Sequence, residues 1–247
     1  MVDASFGDLE LAALYDGLNP WGPDDDFYLE LVRGAGAVLD VGCGTGRLLA
    51  RARETGHRGR LTGLDPAAAM LVQARRRAVD VEWVLGDLDS TRRQEEFDLV
   101  VMTGHAFQEL VADETLRRAL AAVRAALVPG GRFVFETRNP AARAWDRWTP
   151  DRIHRTTAAD GTPVRLRHEV LHPVVGDRVT FTGTFESPLL PRPRVTRNTL
   201  RFLGADGLDR FLAEAGLTVR RRYGDWRRGP LTPASPEIIT VAERGGG

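Results

Sequence analysis

The chain of 247 residues contains no lysine and only one cysteine. All of its 34 basic residues are therefore arginines, and 34 acidic residues balance them to a formal net charge of zero. Because no surplus of positive charge exists, we expect neither nucleic acid nor a membrane surface as a partner. A single cysteine, Cys43, cannot form an intramolecular disulfide, so nothing in the cysteine content favours an oxidising compartment.

Long hydrophobic runs are also missing. No stretch of roughly eighteen apolar residues occurs, so the sequence predicts no membrane-spanning helix. The first residues carry Asp3, Asp8 and Glu10 instead of a basic start followed by an apolar segment, which is unlike a secretory signal. Hydrophobic residues make up 43% of the chain, as in ordinary globular proteins. We therefore expect a cytoplasmic protein with a single domain over residues 1–247.

Short apolar segments alternate with helical ones through the first half of the chain. The pattern predicts helices over 47–54 and 66–78, with Pro66 as a first helical residue. A third helix has Leu116, Leu120, Val123 and Leu127 on one face and ends before Pro129-Gly130-Gly131. The predicted strands are 37–41, 61–64, 81–85, 97–102 and 132–137. This alternation predicts an α/β fold, with an open, doubly wound, mostly parallel sheet.

The segments before and after this alternating core have different sequence patterns. Residues 1–35 predict a helical cap of two short helices around Asn19-Pro20, the second with Pro23 and three acids at its start. A last helix capped by Asp206 and two closing strands, 217–223 and 237–242, complete the sheet. Between the core and this last helix, 150–203 predicts an antiparallel β insert, with strands 152–158, 162–172, 178–185 and 194–203 and turns at Asp160-Gly161 and Gly176-Asp177.

A glycine-rich loop follows the first predicted strand and leads into a helix. In Gly42-Cys43-Gly44-Thr45-Gly46, the backbone can approach a ligand closely and its N–H groups can face that ligand. The third glycine of a Gly-x-Gly-x-x-Gly pattern is replaced by Arg47, which disfavours a dinucleotide with a pyrophosphate.

Three acids stand at or after the ends of three successive strands. Asp65 can accept hydrogen bonds from both hydroxyls of a ribose, and Asp87 can accept one from an exocyclic amine. Asp40, beside the glycine loop, suits an ammonium group. Together they favour a ligand with an amine, a ribose and an adenine, and they would repel a phosphorylated one.

Residues 38–46 resemble the first motif of the class I S-adenosylmethionine-dependent methyltransferases. Leu64-Asp65, Gly86-Asp87 and the segments 97–100 and 127–131 are similar to the later motifs of that family in order and spacing. The resemblance implies a Rossmann-like seven-stranded sheet with its last strand antiparallel. It also implies S-adenosylmethionine as cofactor, S-adenosylhomocysteine as product, and in-line methyl transfer to O or N of a small molecule. The insert over 150–203 also resembles the substrate lids of small-molecule methyltransferases.

The resemblance further assigns residues to the cofactor. Asp40 and the glycine loop would hold the methionine end, Asp65 the ribose, and Asp87 with the Leu88 backbone the adenine. Thr103 and Gly104 would lie beside the sulfonium. The full set of implied cofactor residues is Asp40, Gly42, Cys43, Gly44, Thr45, Gly46, Asp65, Pro66, Gly86, Asp87, Leu88, Thr103 and Gly104.

His105 follows the fourth strand and is the candidate general base, needed if the acceptor arrives protonated. Positioning of substrate and structural packing are the alternatives. The other four histidines lack partners at metal-ligand spacing, so we predict no metal site. Candidate substrate residues, each with core packing as its alternative, are Tyr15, Asn19, Trp21, Arg138, Asn139, Trp145 and Trp148.

A second class of function stays open. A non-methylating descendant could bind the same cofactor for regulation or other chemistry, because a fold does not by itself fix a function. A nicotinamide-dependent oxidoreductase is a weaker alternative. The sequence carries no signature for the identity of the acceptor or for the oligomeric state.

Overall fold

The computed structural model describes residues 4–158, 161–188 and 190–245. Its helices are α1 (Ala4–Gly7), α2 (Leu9–Leu18), α3 (Pro23–Arg33), α4 (Arg47–Glu54), α5 (Ala68–Arg77), α6 (Asp113–Ala126) and α7 (Ala205–Glu214). Its strands are β1 (Ala37–Val41), β2 (Arg60–Asp65), β3 (Glu82–Leu85), β4 (Phe97–Met102), β5 (Leu127–Arg138), β6 (Ile153–Thr157), β7 (Pro163–Val175), β8 (Arg178–Glu186), β9 (Arg194–Arg201), β10 (Leu217–Tyr223) and β11 (Glu237–Arg244).

A seven-stranded sheet with the order β10-β11-β5-β4-β1-β2-β3 forms the centre of the molecule. Strands β1 to β5 pair in parallel, whereas β11 pairs antiparallel with both β5 and β10. The predicted doubly wound sheet with an antiparallel last strand is confirmed. Because β1 pairs with β2 on one side and β4 on the other, the strand order reverses there, which opens a crevice at the carboxyl ends of these strands.

Apolar side chains cover both faces of this sheet. On one face, α6 packs Leu116, Leu120 and Val123 against the strands, as the helical spacing predicts. On the other face, α3 and α4 pack against β1 and β4. Val38 of β1 is fully buried. Within the part of the chain that is described, no helix combines the length and the hydropathy that a membrane crossing needs.

The insert is a separate antiparallel sheet, β6-β7-β8-β9, as predicted. The turn at Gly176-Asp177 joins β7 to β8. The other predicted turn includes Asp160, which lies outside the described residues, as do residues 1–3 of the predicted cap. Leu11 and Leu14 of α2 pack against apolar residues of the insert, so the N-terminal helices and the insert are joined.

Several predicted boundaries were wrong. The N-terminal region has three helices, because the short α1 precedes α2. Pro66 precedes α5, since the Asp65 carboxylate accepts the N–H of Ala67 (2.8 Å) and the helix begins one residue later.

Two further boundaries also differ from the prediction. Leu127 does not end a helix but begins β5 opposite Phe97, and an irregularity in this pairing lets the strand pass through Pro129-Gly130-Gly131. Gly204, not Asp206, occupies the N-cap position of α7.

Candidate active site

A cleft opens at the carboxyl ends of β1, β2 and β4, under α2. It consists of two adjoining cavities of about 300 and 340 Å³. Both are bordered by Tyr15, Gly42, Gly44, Thr103 and Gly104, so they form one continuous space. The predicted convergence of residues from the ends of successive strands therefore occurs.

The first cavity is largely apolar, with acids at its border. Leu64, Met70 and Leu88 line it together with Asp65 and Asp87. Such a lining can cover a flat ring while carboxylates accept hydrogen bonds at its edges.

Asp65 is held in place by the backbone. Its Oδ2 accepts the N–H of Gly44 and its Oδ1 that of Ala67, each at 2.8 Å. Burial raises the pKa of this carboxyl although both backbone bonds oppose the rise. Asp87, in contrast, is exposed at the border of the cavity and accepts the N–H of Ser90 (2.9 Å). Asp65 is thus pre-positioned by the loop after β1, and Asp87 by its own turn.

The second cavity is polar and contains Asp40, which is only 1% exposed. No hydrogen-bond partner reaches its Oδ1 within residues 4–158, 161–188 and 190–245. Burial, together with the nearby carboxylates of Asp65 and Glu136, raises the Asp40 pKa to about 8. A buried acid without a partner is costly to ionise, so this position is suited to a ligand that brings a positive charge.

The glycine loop wraps closely around the end of β1. Gly42 and Gly46 adopt the left-handed conformation, with φ of 75° and 72°. A Cβ on Gly46 would lie 2.4 Å from the Trp83 ring, so no larger residue fits there. Gly46 borders neither cavity and serves the shape of the loop, whereas Cys43 and Thr45 border the second cavity.

Three comparisons with known proteins bear on this cleft. A family model described as a methyltransferase domain matches residues 38–131. The chain is 37% identical over 137 residues to a 2-phytyl-1,4-naphtoquinone methyltransferase from Thermosynechococcus vestitus, covering 49% of this chain and 58% of that protein. It is 28% identical to a dTDP-4-amino-2,3,4,6-tetradeoxy-D-glucose N,N-dimethyltransferase from Saccharopolyspora spinosa, over 86% of each chain.

A solved structure agrees along nearly the whole chain. The amino pentose methyltransferase CalS10 from Micromonospora echinaspora, solved with S-adenosylmethionine bound, superposes with a TM-score of 0.67 and 26% identity. The superposition covers 94% of this chain and 95% of that one. The chain therefore contains a match to a methyltransferase domain over residues 38–131 and is similar along nearly its whole length to a methyltransferase that binds S-adenosylmethionine.

The cleft fits S-adenosylmethionine, the cofactor bound in CalS10. Oδ1 of Asp40, which has no hydrogen-bond partner among the described residues, is suited to the cofactor's ammonium group, and the apolar first cavity is suited to a ring. Among the described residues, no group of three or more His, Cys, Asp or Glu side chains could hold a metal ion.

His105 lies on the border of the polar cavity, in a left-handed backbone conformation (φ 63°). Its Nε2 is 3.0 Å from Oε2 of Glu237, and its backbone N–H donates to Oε1 of Glu136 (2.7 Å). Tyr28 donates to the other oxygen of Glu136. Strands β5 and β11 therefore each contribute a carboxylate that orients His105.

The surroundings of His105 keep its imidazole neutral. Burial, together with the positive charge of Arg138, lowers the His105 pKa to about 3, although Glu136 opposes this change. Burial also raises the Glu237 pKa to about 7, although Arg138 opposes that rise. Around neutral pH, the protein therefore has a neutral imidazole hydrogen-bonded to a carboxyl that is close to its titration point.

The predicted cofactor residues mostly lie at the cleft. Of the predicted set, only Gly46 borders neither cavity. The residues that do line one or both are Asp40, Gly42, Cys43, Gly44, Thr45, Asp65, Pro66, Gly86, Asp87, Leu88, Thr103 and Gly104.

The predicted substrate residues divide into two groups. Tyr15, Asn19 and Arg138 border the cleft, and Trp148 borders a separate groove next to it. The other three are placed elsewhere. Trp21 borders a different surface pocket and donates its Nε1–H to Asp26 (2.8 Å).

Asn139 and Trp145 are structural. The side-chain amide of Asn139 is buried and donates to the carbonyls of Thr232 (3.2 Å) and Ser235 (2.9 Å). Trp145 packs edge-on against Phe202 in a core of the insert. Neither borders the cleft, so the prediction of a substrate role is not supported by their positions.

Sequence reasoning missed several residues at the cleft. Arg47 borders the polar cavity and forms an ion pair with Asp25 of α3 at 3.0 Å. In the sequence it was noted only because it replaces the third glycine of the Gly-x-Gly-x-x-Gly pattern. Glu237 is 132 residues from His105, and no local pattern marks it. Glu136 lies inside an apolar strand, and an acid at such a position is the one signal that could have drawn attention to it.

Proposed function

We propose that this chain transfers the methyl group of S-adenosylmethionine to an amine or hydroxyl of a small molecule. The observation that carries the proposal is the placement of Asp40, Asp65 and Asp87 around one cleft, with Oδ1 of Asp40 lacking a hydrogen-bond partner among the residues that the structure describes. An amine is the favoured acceptor. The names of the two relatives that match along most of their length, the N,N-dimethyltransferase and the amino pentose methyltransferase, both describe amino sugars.

The lining of the two cavities supports the proposed assignment of residues to the cofactor. Asp65 would accept from the ribose hydroxyls, and Asp87 with Leu88 would hold the adenine in the apolar cavity. Asp40 would pair with the ammonium group, and Thr103 and Gly104 would lie beside the reacting methyl, which the bound cofactor supplies as an electrophile. Holding both reactants about 3 Å apart and in line can lower the barrier by roughly 7–11 kcal/mol.

The proton of an ammonium or hydroxyl acceptor requires a base, and we assign this role to His105 together with Glu237. With Nε2–H donating to Glu237, the lone pair of the neutral ring lies on Nδ1. Nδ1 can then take the proton while Nε2–H passes to the Glu237 carboxylate. The raised pKa of Glu237, about 7, makes this carboxyl the group that finally holds the proton.

The insert with α2 forms a cover over the cleft in this proposal. Thr156 of β6 donates its hydroxyl to the Gly17 carbonyl at the end of α2 (2.6 Å), next to Tyr15 and Asn19 at the border of the cleft. The lid role of 150–203 is therefore supported by contacts that tie it to α2. Action in the cytoplasm, without nucleic acid or membrane, stays a prediction from the balanced charge.

Two measurements test the proposed function. Calorimetry should show binding of S-adenosylhomocysteine and none of NAD, and Asp65→Ala should weaken this binding by about 1–3 kcal/mol. Labelled methyl should then pass from S-adenosylmethionine to members of a panel of amino sugars and phenols. Cofactor binding without transfer to any panel member would instead support the non-methylating alternative, and NAD binding would support an oxidoreductase.

A further inference from the structure

A groove of about 530 Å³ lies beside the cleft, between the ends of β5 and β11 and the start of the insert. Its lining includes Arg138, Arg147, Trp148, Arg152 and Glu237. Arg138 also borders the polar cavity, and Glu237 contacts His105 there. The groove and the methyl-transfer site thus share one wall.

Arg138 is a half-buried cation at this shared wall. One nitrogen of its guanidinium, Nη1, donates to Oε1 of Gln108 (3.0 Å), and the guanidinium carbon lies 5.4 Å from the centre of the Trp148 ring. In the described part of the chain, no carboxylate forms an ion pair with it. Burial lowers its pKa, although the negative charges of Glu237, Glu136 and Glu109 oppose that change. A half-buried guanidinium that borders a cavity and forms no ion pair is a position for an anion.

Two more arginines extend the positive charge along the groove. Arg147 and Arg152 are exposed, and neither forms an ion pair with any residue that the structure describes. Glu237 is the acid among the lining residues, and its carboxyl is already bonded to His105. The groove is therefore a cationic site, with the flat Trp148 ring as one of its walls.

We propose that this groove binds an anionic group, a phosphate or a carboxylate, that is part of the methyl acceptor. The inference rests on the proposed function and narrows its substrate class to amines or hydroxyl compounds that also carry an acidic group. Guanidinium groups bind both anions through paired N–H donors, and Trp148 can pack against a ring of the acceptor. An acceptor held in this way would direct its nucleophile past Arg138 towards His105.

The test uses the full chain saturated with S-adenosylhomocysteine and two probes, inorganic pyrophosphate and citrate, at equal ionic strength. Calorimetry should show binding of at least one probe, and the better one distinguishes a phosphate from a carboxylate. The double variant Arg147→Gln/Arg152→Gln should weaken that binding roughly tenfold or more, because charge-assisted hydrogen bonds to the anion are lost.

Arg165→Gln/Arg197→Gln is the matched control, since both arginines are exposed on the insert and border none of the cavities described above. This control removes the same charge and should leave probe binding within about twofold of the wild type, because distant surface charges are screened. Absence of binding by both probes, or equal weakening in the two double variants, would overturn the groove assignment. Failure of S-adenosylhomocysteine itself to bind would overturn the proposed function instead, so the two failures are distinguishable.

Discussion

At the scale of single residues, the buried carboxyl of Asp40 destabilises the folded chain but suits a ligand with a positive charge. Its carboxyl is buried beside Asp65 and Glu136, and these acids together with burial raise its pKa to about 8. The folded chain therefore keeps a proton on Asp40 that the unfolded chain loses. Because the native state binds more protons over the range between the two pKa values, this residue destabilises the fold progressively as the pH rises from about 4 to about 8.

Asp40→Asn should stabilise the ligand-free protein, by roughly 1–3 kcal/mol near pH 8, and the gain should shrink towards pH 4. The same variant should bind S-adenosylhomocysteine more weakly, because an amide cannot neutralise an ammonium. Urea unfolding at several pH values measures the first effect and calorimetry the second. A stability gain that did not depend on pH would contradict the raised pKa.

The pair of His105 and Glu237 gives a pH dependence of turnover. Burial raises the pKa of Glu237 to about 7, so its carboxylate form becomes populated as the pH rises through neutrality. Since the ionised carboxylate is the form that supports proton uptake by His105, kcat/KM should rise over the same range.

Glu237→Gln should lower kcat and flatten that rise, while Glu243→Gln on the same strand should leave the profile unchanged, because Glu243 pairs with Arg220 at the surface. The profile would be recorded with one acceptor for all variants, so that titration of the acceptor cancels. An unaltered profile in Glu237→Gln would remove this residue from the proton path.

At the scale of elements, α2 connects the insert to the cofactor cleft. Leu11 and Leu14 face the apolar side chains of the insert, and Tyr15 on the same helix borders both cavities. Asp8 is the N-cap of this helix, and its side chain accepts the N–H of Glu10 (2.8 Å). Any change that loosens α2 should therefore affect the cleft as well as the lid.

Leu14→Ala should destabilise the protein by about 2–5 kcal/mol, the cost of emptying a well-packed site, and should weaken cofactor binding. Leu9, 58% exposed on the same helix, supplies the control, and Leu9→Ala should stay within about 0.5 kcal/mol. Urea unfolding and calorimetry measure both quantities. Equal stability of the two variants would show that α2 contributes little to the packing of the insert.

The elements also show where prediction from sequence works. The bounds of β1, α4 and β4 were predicted without error, because each is a short periodic segment with a clear end in sequence. β5 was predicted too short, since Pro129-Gly130-Gly131 has the composition of a turn but pairs within the sheet. Local composition cannot reveal that a neighbouring strand accepts such a segment.

At the scale of the whole molecule, the sheet of the insert and the seven-stranded sheet meet around the cleft through α2. A ligand bound in that cleft would contact residues of the central sheet and of α2. It should therefore restrain elements that are far apart in sequence. Stabilisation by a ligand is then shared between the cap, the insert and the central sheet.

Hydrogen exchange tests this coupling. Saturation with S-adenosylhomocysteine should slow amide exchange in α2 and β6 as well as in the loops after β1 and β4. NAD, which we expect not to bind, is the control ligand. Protection confined to the loops of the central sheet would show that the insert does not respond to the cofactor.

The amino-acid sequence by itself determined the fold and the acids that border the cleft, because apolar periodicity and residues at strand ends are local features. The cofactor was implied by the resemblance of the sequence motifs to those of known methyltransferases. The tertiary structure alone decided that Glu237 reaches His105, that Asn139 and Trp145 are structural, and that Arg138 joins two cavities. These contacts bring together residues from distant strands. Their partners are set by the order of strands in the sheet and the packing of the insert, which no single segment encodes.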